Sequence, residues 1–141
     1  MEDLINKYIQ SNQFGKLIGM DFTIIEPGKI EYKLLISKEH LATPNAAHGG
    51  VIAALMDGLL GVTGLSAVAA EGKVVSTMEY KISYFNPAFL NDQLLGTGII
   101  EKKGSRILFI AAQIIATNRN NEVIAKASGT FNAYPAEKAG Y

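Results

Sequence analysis

Between Gly49 and Ala70 the chain carries one ionisable residue, Asp57. It stands last but one in the stretch "NAAHGGVIAALMDG", residues 45–58, behind one histidine and a pair of glycines. These residue types suit acyl-transfer chemistry. A carboxylate can serve as general base or as nucleophile. Backbone N–H groups at a helix start can hold a polarised carbonyl or an oxyanion. Pro44 and Asn45 place His48, Gly49 and Gly50 near the first turn of the expected helix. There the N–H groups lack intrahelical partners and the macrodipole is positive. Glycine leaves those amides uncovered by a side chain. Asp57 lies eight residues beyond Gly49, which is about 12 Å along the axis at about 1.5 Å per residue. One chain's Asp57 is therefore too far from its own Gly49 amide to attack a group held there. Cooperation between the two requires a second copy of the helix, so the spacing implies a homodimer with composite sites.

Each feature also has a purely structural reading. Asp57 can hydrogen-bond a hydroxyl such as Thr63 or Thr77. His48 can be a hydrogen-bonding residue rather than a base. Gly49-Gly50 can be a tight helix entry. Gly58, Gly61 and Gly64, three residues apart, suggest close packing where no side chain fits.

The elements that must position these groups follow from periodicity. Residues 2–14 carry Leu4, Ile5, Tyr8 and Ile9 at helical spacing, with acids in the first turn. "LIGMDFTIIE", the Pro27-Gly28 turn and "KIEYKLLIS" read as a hairpin. Residues 48–70 form a helix apolar nearly all round, the pattern of a buried helix. Four strands follow: "VVSTMEYKISYF", "QLLGTGIIEKK", "RILFIAAQIIATN" and "EVIAKASGTFNAY". In the first of them Met78, Tyr80, Ile82 and Tyr84 are expected on one face, and Thr77, Glu79, Lys81 and Ser83 on the other. Strands in runs with one buried helix mean an α+β fold with an antiparallel sheet. That sheet must curl around the helix as a single domain over residues 1–141.

Composition narrows the function. Thirteen basic and thirteen acidic residues balance, and there is no Trp, so no basic–aromatic surface for nucleic acid is expected. The absence of cysteine excludes disulfides, thiolate metal sites and a cysteine nucleophile. No metal or cofactor is expected. Residues 49–70 are long enough to span a bilayer, but Asp57 and the Gly/Ala content argue for a protein core. "MEDLINKYIQ" does not read as a signal peptide, and the expected location is the cytoplasm.

"HGGVIAALMDG" followed by "VVSTMEYKISYFNPA" resembles the hotdog-fold acyl-CoA thioesterase superfamily, in its phenylacetate-pathway (PaaI-like) branch. The resemblance runs from about Phe14 to Tyr134. It implies a curved antiparallel sheet around a central helix, paired into dimers and often tetramers. It implies that Gly49 offers its amide to the thioester carbonyl and that Asp57 acts from the opposite subunit as base or nucleophile. Thr77 corresponds to the residue that helps orient the attacking water. The "KKGSR" turn corresponds to the place where the family holds CoA phosphates, which makes Arg106, with Lys102 or Lys103, the counterpart. Where the family commonly keeps Asn or Gln, fifteen residues before the carboxylate, this chain has Ala42. Asn45 stands three residues later in the same loop and is the candidate replacement.

The resulting expectation is hydrolysis of an acyl-CoA thioester to free acid and CoA. Catalysis is assigned to Asp57, Gly49 and Thr77, and substrate binding to Asn45, His48, Gly50 and Arg106. A non-catalytic acyl-CoA-binding protein, favoured by Ala42, and a dehydratase, which requires His48, remain open.

Overall fold

The computed structural model describes residues Met1–Tyr141. Twenty residues, Gly49–Val68, form one long helix, α3, which the other elements surround in part. The helices α1 (Glu2–Ser11) and α2 (Gln13–Ile18) precede the strands β1 (Asp21–Glu26) and β2 (Lys29–Leu35). After α3 come β3 (Lys73–Tyr84), β4 (Gln93–Lys103), β5 (Ile107–Ala116) and β6 (Glu122–Pro135). All six strands join one antiparallel sheet in the order β1-β2-β4-β5-β6-β3. The α+β hotdog architecture is thus present: a curved sheet holding a central helix.

Helix α3 packs across β2, β3, β4, β5 and β6. Leu55, Met56, Leu59 and Leu60 are fully buried against Tyr32, Leu108, Ile110, Ile114 and Phe131. Each such side chain contributes about 1.5–3 kcal/mol through apolar burial. The sheet approaches the helix closely at β4. A Cβ on Gly98 would stand 2.2 Å from Thr63 Oγ1, and one on Gly96 2.6 Å from Leu59 Cδ2. The helix reaches a mean hydropathy of 1.9, enough by length and composition to cross a membrane, yet most of it lies inside the fold.

Three details depart from the periodicity reading. First, Leu17 and Ile18 close a second helix, Gln13–Ile18, rather than starting the strand, which begins at Asp21. The Asn12 side chain caps α2 by accepting from Gly15 N at 3.1 Å, and Gly19, at φ 86°, ends it. Second, β3 does not alternate without interruption. A bulge at Met78 shifts the register between Thr77 and Glu79. Thr77 therefore faces the helix together with Tyr80 and Tyr84, while Met78 is 59 % exposed. Third, α3 is not covered all round. Gly50, Ala53, Ala54, Asp57, Gly58 and Gly61 form a stripe along it that the chain leaves partly or fully exposed.

Candidate active site

The loop before α3 is held from both sides. Ala47 N donates to Ala88 O at 2.8 Å, and His48 N donates to His40 O at 2.7 Å. His40 itself is buried. Its Nδ1 accepts from Ser37 N at 3.0 Å, which leaves Nε2 to donate to Ile18 O at 2.7 Å. His48 is the N-cap of α3, with Nδ1 accepting from Gly50 N at 2.7 Å. Of the three amides at this helix start, those of His48 and Gly50 are engaged. The Gly49 N–H donates to no atom of the chain, and Gly49 is an exposed residue. It is the amide free to meet a ligand oxygen.

Tyrosines on β3 fix the same end of the helix. Tyr84 donates its hydroxyl to Gly49 O at 2.7 Å, and Tyr80 donates to Ala53 O at 3.0 Å. Four residues apart on a strand facing the helix, the half-buried Tyr80 and the more exposed Tyr84 both direct their phenols to helix carbonyls. The alternation of β3 shows their shared face, but nothing in the sequence marks that Tyr84 holds Gly49 and Tyr80 holds Ala53.

Further along α3, Asp57 is half-buried. Its Oδ1 accepts a hydrogen bond from Thr77 Oγ1 at 2.7 Å. Thr63 is not its partner. That hydroxyl donates to Leu59 O within the helix. The bulge at Met78 makes the Asp57–Thr77 contact compatible with the Tyr80 and Tyr84 contacts on one strand face.

Asp57 and Thr77 line a cavity of about 280 Å³ that runs between α3, β3 and β6, with Tyr8 on α1 and Tyr141 after β6 also in its walls. Gly61 opens onto it. The one atom within 4 Å of a Cβ built there is Phe131 Cε2, at 3.9 Å. Gly58 also lines the cavity but is close to Met20, whose Cε would stand 3.0 Å from such a Cβ, and Gly64 packs on the sheet, with Ile110 Cδ1 at 2.9 Å. Burial first, then the neighbouring Tyr141 and Asp57, push the Tyr8 phenol up to about 12, so it stays a neutral hydroxyl. A larger depression of about 540 Å³, lined by Asp21, Glu31, Lys33 and Gln93 among others, contains none of these residues.

The remaining predicted residues lie apart. Asn45 is exposed; its carbonyl accepts from Leu90 N at 2.9 Å, and its side chain makes no hydrogen bond within the chain. Ala42 sits in the same loop, with its N–H donated to Ala46 O at 3.0 Å. Arg106 is exposed in the β4–β5 turn without a side-chain partner. Lys103 is already committed to Glu71 and to Ala67 O. No group of three metal-ligating side chains occurs in the chain.

Comparison with known proteins gives the family and the fold. The model of the thioesterase superfamily matches residues 45–122, the segment holding Gly49, Asp57 and Thr77. The chain belongs to the thioesterase superfamily. A Schizosaccharomyces pombe protein named "Putative esterase" is 33 % identical over 131 residues, covering 87 % of this chain and 76 % of that protein. Human acyl-coenzyme A thioesterase 13 is 23 % identical over 117 residues, covering 81 % of each. Among solved structures, the Escherichia coli PaaI protein of the phenylacetic acid degradation operon superposes with a TM-score of 0.81 at 17 % identity, covering 94 % of this chain and 91 % of that one. A Streptococcus mutans protein bound to acetyl CoA superposes with a TM-score of 0.73 at 23 % identity, covering 82 % and 89 %. Family and relatives together support a hydrolase of thioesters, on a fold shared with PaaI and other hotdog thioesterases.

Proposed function

We propose that this thioesterase-superfamily chain hydrolyses acyl-CoA to a free acid and CoA at a site shared by two subunits. The observation that carries the reading is a division of labour. A free Gly49 amide stands at one end of the exposed α3 stripe, and Asp57, held by Thr77, stands about two turns along it. A carbonyl polarised at Gly49 is beyond the reach of the same chain's Asp57 by about 12 Å of helix rise. A second copy lying antiparallel along the stripe brings its own Asp57 to Gly49. Two further features support such pairing. Beside the stripe, β3 is an edge strand of 12 residues with one ladder of backbone groups unpaired. Met78, Tyr84 and Phe85 at or just beyond that edge are more than half exposed.

In the composite site the Gly49 N–H and the positive end of α3 stabilise the oxyanion that forms as the thioester carbonyl is attacked. Asp57 takes the proton of the attacking water, or attacks the carbonyl carbon itself to give an anhydride that water then opens. In both routes the C–S bond breaks, CoA leaves as its thiolate and the acid is released. Thr77 aims the carboxylate by donating to Oδ1, which leaves Oδ2 for the water or the carbonyl carbon. Arg106, exposed and unpaired, is the cation assigned to a CoA phosphate. His48 spends Nδ1 on capping α3, a structural duty that favours hydrolysis over a His48-dependent dehydratase. The test is hydrolysis of an acyl-CoA panel by wild type and by Asp57→Asn. Activity that survives the substitution in folded protein rules the assignment out.

A further inference from the structure

The cavity beside Asp57 has a wall that the hydrolytic chemistry does not use. Helix α1 and the segment after β6 build it. They share an apolar cluster around Ile5, and one side-chain hydrogen bond joins them: Ser11 Oγ and Tyr141 OH lie 2.7 Å apart. One turn before Ser11, Tyr8 reaches the cavity. Its ring packs against Phe22 at 6.2 Å between centroids, and its hydroxyl accepts from Asn12 Nδ2 at 3.3 Å. The segment after β6 is anchored where Ala136 N donates to Gly72 O at 3.0 Å, and Tyr141 N turns back to Ala136 O at 3.3 Å. Opposite stands Gly61 of α3, the position at which the helix leaves the most room.

The volume is about 280 Å³, roughly twice the ~150 Å³ apolar void that takes up a benzene molecule. That admits one ring with a short linker, or an aliphatic chain of similar bulk. A long straight chain exceeds this volume, and its excess must displace the wall or lie outside it in water. We propose that the Tyr8–Ser11–Tyr141 wall makes this site selective for compact acyl groups, with Tyr141 and Gly61 setting the limit. The proposal rests on the acyl-CoA reading of the site, and it assigns a specificity role to residues outside the Gly49–Asp57–Thr77 group.

The test separates binding from turnover. S-alkyl-CoA thioethers of graded chain length cannot be hydrolysed, so calorimetry with them reads the cavity alone. Wild type should bind short and medium chains and discriminate against the longest. Tyr141→Ala should raise the affinity for the longest chain relative to the shortest by about tenfold or more, or about 1.4 kcal/mol. Ser11→Ala, which removes only the hydroxyl tie, should move the profile the same way by a smaller factor. It is also the variant that decides if Tyr141→Ala does not fold. Gly61→Ala adds one methyl to the opposite wall at a helix position that favours alanine, and should weaken the bulkiest chains that wild type accepts. An unchanged length profile in folded Tyr141→Ala, or in Ser11→Ala where the former does not fold, overturns the proposal. Normal thioether binding without hydrolysis of any acyl-CoA thioester would instead remove the thioesterase reading and leave the wall standing.

Discussion

Replacing Gly49 with proline removes one hydrogen-bond donor and almost nothing else. Gly49 is the first residue of α3, the helix position where proline is best tolerated because its N–H would be unsatisfied in any case. The preceding His48 already has φ −63° and ψ 133°, in the extended region that a residue before proline adopts. A Cβ at 49 meets Tyr84 at 3.7 Å, an ordinary contact, and the Tyr84 bond to Gly49 O is untouched. No intramolecular hydrogen bond is lost, since the Gly49 N–H makes none. Restricting the unfolded chain contributes about 0.4–1 kcal/mol in favour of the folded state at a compatible site. The melting temperature should therefore hold or rise slightly. Activity should not hold. Loss of one oxyanion donor costs about 100- to 1,000-fold in kcat. Gly49→Ala, which keeps the N–H, should stay within a few-fold of wild type. The assay is steady-state release of the CoA thiol across an acyl-CoA panel, beside thermal melts of all three proteins. Folded Gly49→Pro with wild-type kcat would refute the assignment of the oxyanion donor.

Other perturbations probe the positioning of the carboxylate and the frame around it. Thr77→Val keeps the side-chain shape and deletes the donor to Asp57. Hydrogen bonds to charged groups are worth about 1.5–3 kcal/mol, so kcat should fall by about 10- to 100-fold with KM little changed, as read from initial rates. Gly98→Ala forces a methyl towards Thr63 Oγ1 and should cost about 1–3 kcal/mol of stability in denaturant melts. Adding Thr63→Ala should restore much of it, because the obstructing hydroxyl and methyl are gone. Asp92, 2 % exposed, joins the β3–β4 connection to the β5–β6 turn through Arg119, Asn118 and Phe89 N. Burial alone would raise its carboxyl, but the Arg119 guanidinium, the Phe89 amide and Asn118 outweigh this and hold it below its ordinary 3.8. A depressed carboxylate contributes stability that is complete above the unfolded value and is lost as pH falls through the lower, folded one. Wild-type melting temperature should thus drop as pH falls below about 4, more steeply than that of Asp92→Asn. Asp92→Asn should itself be less stable near neutral pH, by about 1–3 kcal/mol, because Arg119 loses a charged acceptor and keeps only Glu122 and Pro87 O.

The long helix and the succession of strands along the chain were legible because their signals are local, whereas the order of the strands in the sheet was not. An apolar run from Gly49 to Val68 and alternating segments of about ten residues carry their own periodicity. Asp57 and Gly49 were legible for the same reason, as one charge and one glycine pair in a run of apolar residues. What was hidden depends on contacts between distant segments. The sequence of β3 alternates straight through Met78, so nothing local marks the bulge. Across the sheet, Tyr80 pairs with Gly129, where a Cβ would come 2.7 Å from Tyr80 Cβ and 2.9 Å from Glu79 O. That close approach belongs to the β3–β6 pairing. The exposed stripe on α3 was hidden because hydrophobicity reports what a helix can bury and does not say against which chain. Asp92 drew no notice because its partner Arg119 is 27 positions away. Tyr8 and Tyr141 meet beside Asp57 only after α1 and the segment after β6 have packed on α3.

The central claim is that Gly49 and Asp57 of one site come from different chains. It is tested by co-refolding equal amounts of Gly49→Pro and Asp57→Asn, each inactive by itself. A mixed dimer pairs the intact Gly49 of the second with the intact Asp57 of the first, giving one working site out of two. With random pairing in a symmetric dimer, about half the dimers are mixed, and about a quarter of wild-type activity should return. No recovery, with mixed dimers demonstrated by mass, would contradict the composite site.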